Sequence, residues 1–221
     1  MEAKQFKSGH YTEWQNKRIQ KIEKIFGKEF FKDKTILEVA CGYGDIGKYF
    51  SNLGAIVEFT EGRKEHLSHI KNNNPNCIVH QIDHDKPWNL NKKYDLIIHF
   101  GLLYHLTNWK EDLECAFNHS DTIILESEIL DSLIPLNEYK ARDGGGYDQA
   151  LPTTKYAIRP TADYVEHVLE KNNYKFIRYD DEEVDTSPHL YSWKVQGIHD
   201  KNGGYIGYGP TRRFWVCKKN V

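Results

Sequence analysis

The sequence has few cysteines, and they stand far apart. Only four of its 221 residues are cysteine, and no two form a Cys-x-x-Cys pair. Zinc sites and the disulfide frameworks of small secreted proteins both need cysteines at short, regular spacings. We therefore expect neither kind of site, and we predict four reduced and mostly buried thiols: Cys41, Cys77, Cys115 and Cys217.

Long apolar segments are also missing. The chain has no run of about 18 apolar residues, which a membrane-spanning helix would need. Its first five residues, MEAKQ, lack the apolar centre of a secretory signal peptide. These two absences predict a soluble, cytoplasmic protein without a membrane partner.

A charge of one sign does not dominate the sequence either. It contains 30 lysines and arginines against 32 aspartates and glutamates. Because proteins that bind nucleic acids usually carry a basic excess, this balance weakens such an interpretation, although a local basic patch stays open. The length allows a sizeable core and predicts one domain over residues 1–221, with a helical cap at 1–34.

The most informative stretch is TILEVACGYGDIG, residues 35–47. Residues 35–39 are mostly β-branched or apolar, which is typical of a strand that is buried on both faces. Gly42 and Gly44 follow, where the backbone must turn sharply and lie close to a ligand. The apolar spacing of residues 46–53 then predicts a helix whose N-terminus points toward the turn.

The rest of the chain repeats this alternation of strands and helices. It predicts an α/β fold with a doubly wound, mainly parallel sheet of seven strands, the last two of which pair antiparallel. The expected strands are residues 35–39, 55–60, 77–82, 94–100, 122–127, 174–179 and 213–218. The expected helices are residues 11–27, 46–53, 64–72, 109–117 and 162–171, with Thr161 as the cap of the last one. In such a sheet, ligands bind at the carboxyl ends of the strands.

Residues 130–160 interrupt the alternation. This segment is rich in glycine, tyrosine and charge, and it has little periodicity. It is too long for an ordinary connection, so we interpret it as a substrate lid after the fifth strand.

The glycine turn satisfies the G-x-G-x-x-G pattern of dinucleotide sites, which is a weak signal by itself. Glu61 strengthens it, because a carboxylate at the end of the second strand can accept hydrogen bonds from ribose hydroxyls. Nicotinamide cofactors and S-adenosylmethionine are both bound in this way. Glu38, just before the turn, favours S-adenosylmethionine, since a carboxylate would repel the pyrophosphate of a dinucleotide.

Three motifs together resemble the class I methyltransferases, which use S-adenosylmethionine and have a Rossmann-like sheet. Glu38 and the glycines resemble the family's E/D-x-G-x-G signature, with Ala40 in place of its first glycine. Asp83 resembles the acidic residue that binds the adenine amino group. Residues 94–106, YDLIIHFGLLYHL, resemble the motif of the fourth strand. The resemblance implies a set of residues that bind the cofactor: Glu38, Ala40, Gly42, Gly44, Glu61, Gly62, Asp83, His84 and Gly101.

The resemblance also places the methyl acceptor after the fourth strand. His105 lies there and is the candidate general base, because an imidazole can take a proton at neutral pH. A role for His105 in packing alone stays open. The residues expected to hold the acceptor are aromatic or basic, and most of them lie in the lid: Tyr104, Tyr139, Arg142, Tyr147, Tyr156 and Arg159.

These observations predict a methyltransferase that transfers a methyl group from S-adenosylmethionine to an oxygen or nitrogen of a small molecule and releases S-adenosylhomocysteine. We expect no metal. The fourth strand is not followed by the Asn/Asp-Pro-Pro-Tyr motif of DNA amino-methylating enzymes, and no Pro-Cys nucleophile is present, so we do not expect a DNA substrate.

Other interpretations stay open. The motifs GLLYHL, IILESE and YAIRPT are similar, more weakly, to those of the carboxymethyl transferase of tRNA wobble uridine. A methyl- or carboxymethyltransferase that modifies tRNA is therefore the first alternative. A nicotinamide-dependent oxidoreductase and a non-catalytic module that binds S-adenosylmethionine are alternatives from other classes.

Overall fold

The computed structural model describes residues 9–142, 156–179, 182–187, 189–193 and 212–220, with only the backbone at residues 141 and 142. A seven-stranded sheet forms its centre, in the order β3-β2-β1-β4-β5-β9-β8. Its strands are β1 (Thr35–Val39), β2 (Ile56–Glu61), β3 (Ile78–Gln81), β4 (Leu96–Phe100), β5 (Thr122–Glu128), β8 (Tyr174–Tyr179) and β9 (Arg212–Lys219). Strands β1 to β5 are parallel, and β9 is antiparallel to both of its neighbours. The predicted fold class is confirmed.

Five α-helices connect and cover the strands of the described chain. They are α1 (Gly9–Phe26), α2 (Asp45–Asn52), α3 (Lys64–Asn73), α4 (Trp109–Phe117) and α5 (Ala162–Lys171). Their bounds lie within two residues of the predicted ones. No helix in the part of the chain that the structure describes is long and apolar enough to cross a membrane.

Strand β1 shows how the apolar pattern distributes side chains to the two faces of the sheet. Leu37 and Val39 belong to the core that is covered by α4 and α5, whereas Ile36 belongs to the core beneath α1 and α2. Successive side chains of a strand point to opposite faces. Glu38 therefore lies on the same face as Ile36, beneath α1 and α2, where it is 4% exposed.

Part of the predicted lid is regular structure. Strands β6 (Glu138–Arg142) and β7 (Tyr156–Pro160) form a separate antiparallel pair. These two strands were not predicted from the sequence. Local sequence gave little signal because the pair is small and lies largely at the surface.

Two smaller predictions need correction. The fourth strand begins at Leu96 rather than at residue 94, because Tyr94 makes only an isolated bridge to Ser120. Thr161 does stand at the N-cap position of α5, but its side chain makes no capping hydrogen bond. Its hydroxyl instead accepts a hydrogen bond from the Asn137 amide at 3.2 Å, which joins the segment before β6 to the start of α5.

The cysteines are unpaired, as predicted. Cys41 and Cys217 are buried, while Cys77 and Cys115 are partly buried.

Candidate active site

The turn between β1 and α2 has the left-handed backbone that its glycines predicted. The φ angles of Gly42 and Gly44 are 62° and 74°. A Cβ atom at Gly44 would lie 3.1 Å from the Phe59 ring, so this position also lacks space. Ala40 has a φ of 49°, in the same region, although it is not glycine. The turn therefore contains one residue whose side chain disfavours the conformation that it adopts.

A buried chain of hydrogen bonds supports this turn. The Ala40 amide donates to the Thr60 hydroxyl at 3.0 Å, and that hydroxyl lies 2.8 Å from Nε2 of His84. Nδ1 of His84 lies 2.7 Å from Asp112, which also lies 2.7 Å from Nε2 of His99. Burial disfavours the Asp112 carboxylate, yet His84 and His99 hold the pKa of Asp112 well below its ordinary value. The imidazole of His84 thus links the turn to α4.

Glu38 lies beneath the first turn of α2. One of its carboxylate oxygens accepts a hydrogen bond from the Gly47 amide at 2.7 Å. A Cβ atom at Gly47 would lie 2.6 Å from that oxygen, so only glycine allows this approach. Burial raises the pKa of Glu38 to about 8, against the opposing effect of this hydrogen bond. A buried carboxyl group of this kind favours a cationic ligand, which would stabilise its ionised form.

Glu61, at the end of β2, is tied to the turn. Its two oxygens accept hydrogen bonds from the amides of Gly42, at 2.9 Å, and Arg63, at 2.8 Å. The residue is 5% exposed. A carboxylate can accept about four hydrogen bonds, so capacity for two ribose hydroxyls remains. The sequence did not indicate that Glu61 would also fix the glycine turn. Gly62, the other residue predicted at this strand end, is partly buried.

Asp83 follows β3 at the same edge of the sheet. One of its oxygens accepts from the Asp85 amide at 3.2 Å, and the other lies 2.9 Å from Nζ of Lys86. Asp85 in turn accepts hydrogen bonds from the amides of Thr107 and Asn108, at 2.8 and 2.7 Å. The loops after β3 and β4 are therefore held together through Asp85.

The segment after β4 forms the next part of this edge. Gly101 has a φ of 66°, and its amide donates to the Glu126 carbonyl at 2.9 Å. A short 3-10 helix, Leu103–His105, follows. Tyr104 and His105 are both partly buried, and their ring centroids lie 4.1 Å apart. The candidate base, His105, therefore lies at the end of the short helix that follows β4.

A buried ionic cluster beside Gly101 was not predicted. Glu126 on β5 is completely buried, pairs with Arg18 on α1, and accepts from Nη1 of Arg212 on β9 at 2.8 Å. Burial opposes ionisation of Glu126, but the two arginines hold its pKa below the ordinary value. Nη2 of Arg212 also lies 3.0 Å from the Tyr104 hydroxyl, and burial raises the pKa of that phenol. The cluster thus connects α1, β5 and β9 with a residue expected to hold the acceptor.

Aromatic side chains cover the cluster from the side of α1. The Trp14 ring centroid lies 3.3 Å from the Arg18 guanidinium carbon and 4.6 Å from that of Arg212. The indole donates to the Tyr191 hydroxyl at 2.8 Å, and that hydroxyl lies 3.2 Å from Glu126. Residues far apart in the sequence therefore form one polar layer at the strand ends.

The remaining residues predicted to hold the acceptor lie on or near the β6–β7 pair. Nε of Arg159 donates to Glu128 at 2.8 Å, at the end of β5. Tyr139 and Tyr156 are 42% and 50% exposed. The backbone of Arg142 pairs with that of Tyr156, and Tyr147 lies outside the described residues. Of this group, only Tyr104 and Arg159 are brought to the ionic cluster by the described contacts.

Two signals in the sequence could have indicated the cluster. Glu126 interrupts the apolar run of β5, at a position where an unpaired carboxylate would be costly. Arg18 lies four residues after Trp14 and four before Ile22, so helical spacing places it on the buried face of α1. Neither signal identifies the partner on the other element.

Comparison with known protein families identifies the family of this chain. A family model described as a methyltransferase domain matches residues 11–179, which is most of the chain. The chain belongs to this family. The predicted class I methyltransferase, which depends on S-adenosylmethionine, is thereby confirmed. A search of the curated proteins gave no match to the sequence of this methyltransferase.

Solved structures share its fold at low sequence identity. The N-terminal domain of EvdMO1 with SAH bound is 15% identical, with a TM-score of 0.67 over 94% of this chain and 81% of that one. A putative S-adenosylmethionine-dependent methyltransferase from Listeria monocytogenes is 15% identical, with a TM-score of 0.63 over 93% and 99%. The glycopeptide N-methyltransferase MtfA, complexed with S-adenosylhomocysteine, is 14% identical, with a TM-score of 0.59 over 92% and 89%. At such identities the likeness shows the fold alone.

The residues of the methyltransferase fit S-adenosylmethionine. The cofactor carries an ammonium group, and the buried Glu38 carboxyl, with its raised pKa, suits a cation. It also carries ribose hydroxyls, and Glu61 retains acceptor capacity beside the glycine turn. Both carboxyl groups therefore match the chemistry of the cofactor.

Proposed function

We propose that this methyltransferase transfers the methyl group of S-adenosylmethionine to an oxygen or nitrogen atom of a small-molecule acceptor. The binding of the cofactor is supported by two buried carboxyl groups beside the glycine turn, those of Glu38 and Glu61. The acceptor half is supported by the polar layer around Gly101 and Tyr104 at the neighbouring strand end.

On the cofactor side, Glu38 would bind the amino group and Glu61 the ribose hydroxyls. Gly42 and Gly44 would allow the backbone to approach the ligand, and Asp83 would accept from the adenine amino group. When bound, S-adenosylmethionine supplies a methyl group on a positively charged sulfur, which is already an activated leaving group. The protein therefore contributes chiefly by aligning the acceptor and excluding water.

On the acceptor side, His105 is the proposed base. An imidazole can remove the proton of an acceptor hydroxyl as that oxygen attacks, whereas a neutral amine needs less help. Tyr104 would orient the acceptor, because its hydroxyl is held by Arg212 beside Gly101. The amide of His84 would face the adenine, while its imidazole holds the turn through Thr60 and Asp112.

Some structural neighbours act on, or were crystallised with, small molecules. One is a glycopeptide N-methyltransferase, one is a magnesium protoporphyrin IX methyltransferase, and one was crystallised in the presence of SAH and D-fucose. These three neighbours favour a small-molecule acceptor for this chain over a polymeric one.

The cofactor half is tested by calorimetric titration with S-adenosylhomocysteine. Glu61→Gln should weaken binding about 10- to 100-fold, because a charge-assisted hydrogen bond contributes about 1.5–3 kcal/mol. The matched control is Glu58→Gln on the same strand, since both glutamates are 5% exposed but Glu58 pairs instead with His80, Lys92 and Tyr94. Equal weakening by the two variants would show that Glu61 acts only through folding.

The acceptor half is tested by measuring S-adenosylhomocysteine release with a pool of small metabolites. His105→Ala should lower the rate about 10²- to 10⁴-fold with a hydroxyl acceptor, while cofactor binding is retained. His167→Ala, which changes an exposed histidine on α5, is the control. Normal turnover by His105→Ala with a hydroxyl acceptor would exclude the general-base role.

A further inference from the structure

Three arginines from distant parts of the chain meet at the carboxyl end of β5. Arg18 comes from α1, Arg159 from β7 and Arg212 from β9. Arg18 pairs with Glu126, Arg212 donates to Glu126 at 2.8 Å, and Arg159 donates to Glu128 at 2.8 Å. Arg212 also lies 3.7 Å from Glu128. We call these five side chains the arginine cluster.

The charges of the arginine cluster do not balance among the described residues. Three guanidinium groups face two carboxylates, which leaves one positive charge in excess. The side chains of Arg18 and Arg212 are only 3% and 6% exposed. Glu38 also attracts Arg18, but it lies on the cofactor side. The side chain of Arg159 is 28% exposed, so solvent screens part of the excess charge and also reaches it, and the remainder favours an anionic partner.

A second observation points in the same direction. Nε of Arg18 is buried and has no hydrogen-bond partner within the described ranges of the chain. Buried donors are nearly always satisfied in folded proteins, and an exception calls for a ligand or water. Arg18 therefore has an unused N–H donor from which an anion could accept a hydrogen bond.

The electrostatic environment beside the cluster is positive as well. Burial, and then the charges of Arg212 and Arg18, lower the pKa of His189 to about 3. The ring of His189 stacks on Trp14, with centroids 3.6 Å apart. Because His189 is neutral at physiological pH, it adds no charge of its own beside Arg18 and Arg212.

Gly101 leaves space between the cluster and the glycine turn. A Cβ atom there would lie 3.5 Å from Nη2 of Arg18 and 3.9 Å from the Tyr104 hydroxyl, so a side chain would fill this position. Strands β1 and β4 pair through Val39 and His99, which places Gly101 beside the start of the turn. Neighbouring strands are about 4.8 Å apart, so an anion held at the cluster would lie near the glycine turn, on the adjacent strand.

We propose that the methyl acceptor is an acid, and that Arg18, Arg159 and Arg212 bind its carboxylate or phosphate group. This inference rests on the proposed function, whose acceptor it specifies. A guanidinium group donates two parallel hydrogen bonds to either kind of anion, which fixes the orientation of the acceptor as well as its affinity.

The test measures the melting temperature of the methyltransferase saturated with S-adenosylhomocysteine. Sodium phosphate or sodium acetate is added, and sodium chloride at equal ionic strength serves as the reference. At tenfold above its Kd, an anion that occupies the cluster should raise the Tm by about 3–6 °C. A response to phosphate alone would identify a phosphate acceptor, and a response to acetate alone a carboxylate acceptor.

Arg159→Gln should abolish this rise, and Arg159→Lys should restore part of it. The matched control is Arg178→Gln, because Arg178 also pairs with a glutamate, Glu166, but on β8 and away from the cluster. The control should keep the full rise in Tm.

Three outcomes would overturn the proposal. The proposal is wrong if neither anion stabilises the wild-type protein, or if Arg159→Gln responds as fully as the wild type. It is also wrong if Arg159→Gln weakens the binding of S-adenosylhomocysteine about tenfold. The last result would mean that the arginines hold the carboxylate of the cofactor. Failure of the wild-type protein to bind S-adenosylhomocysteine at all would instead contradict the proposed function itself.

Discussion

At the scale of single residues, Ala40 carries backbone strain in the turn after β1. Its φ of 49° lies in the region that glycine adopts without a steric penalty. We expect Ala40→Gly to raise the free energy of unfolding by about 0.5–1 kcal/mol, because the relief of strain exceeds the entropy lost on folding. Urea denaturation measures this change.

The control for Ala40 is Ala55→Gly. Ala55 is buried just before β2 and does not have a positive φ. Glycine at Ala55 should therefore lower the free energy of unfolding by about 0.5–1 kcal/mol. If both substitutions destabilise the protein, strain at Ala40 is not significant.

The raised pKa of Glu38 predicts that a proton is released when S-adenosylhomocysteine binds. Burial raises the pKa of Glu38 to about 8, so the group is mostly protonated at pH 7 in the free protein. An ammonium ligand stabilises the carboxylate, and binding S-adenosylhomocysteine should release close to one proton. Calorimetry at pH 7 in buffers of different ionisation enthalpy measures this number, which should fall toward zero above pH 9.

The same group makes the stability of the free protein depend on pH. The folded protein binds more protons than the unfolded chain between pH 4.5, the ordinary pKa, and pH 8. The contribution of Glu38 to stability is therefore fully present below this window and is lost as the pH rises through it. Glu38→Gln should remove both the proton release and this slope, and persistence of either would assign the effect to another group.

At the scale of elements, the histidines on both sides of Asp112 attach α4 to the sheet. His84 and His99 each lie 2.7 Å from its carboxylate. Asp112→Asn should lower the free energy of unfolding by about 3 kcal/mol, because it leaves buried groups poorly compensated. Thermal denaturation should show a Tm lower by about 6–12 °C.

Asp121→Asn is the matched control, since its side chain is 70% exposed and lies 3.9 Å from Lys219. Asp112 has a lowered pKa, so its contribution is present above pH 3.8 and is lost only as the pH falls through the lower, folded value. A loss of stability in Asp121→Asn as large as that in Asp112→Asn would indicate a general charge effect.

The elements that the sequence predicted well are those with strong local patterns. The apolar run of β1 and the two glycines after it are sufficient to define a buried strand and a turn. The β6–β7 pair lacks such a pattern, because residues 138–140 are exposed and buried residues do not form a continuous run in β7. Local periodicity therefore indicated the scaffold but missed the strands that bring Arg159 to the site.

The arginine cluster could not be predicted for a different reason. Arg18 and Glu126 are 108 residues apart, and Arg212 and Glu126 are 86 apart. An arginine in a helix and a glutamate in a strand each allow many partners, and only the strand order determines which ones meet. Glu38 and Glu61 were easier to predict, since each lies at a strand end next to the turn.

At the scale of the whole molecule, the near balance of charge predicts weak binding to tRNA. The formal net charge is −2 at pH 7. Binding to nucleic acids depends largely on neutralising phosphates, and its affinity falls steeply with added salt. We expect no complex with a tRNA pool in a gel-shift assay at about 50 mM salt; a complex whose affinity falls steeply with salt would favour the tRNA alternative.

The late position of β9 in the chain has a consequence for biosynthesis. Strands β1 to β5 and the glycine turn are complete once residue 128 has left the ribosome, whereas β9 begins at Arg212 and must then insert between β5 and β8. A domain generally folds as a unit, so the site should be completed only when β9 has entered the sheet. A nascent chain would therefore lack the proposed Arg212 contact to the acceptor until this late strand has left the ribosome.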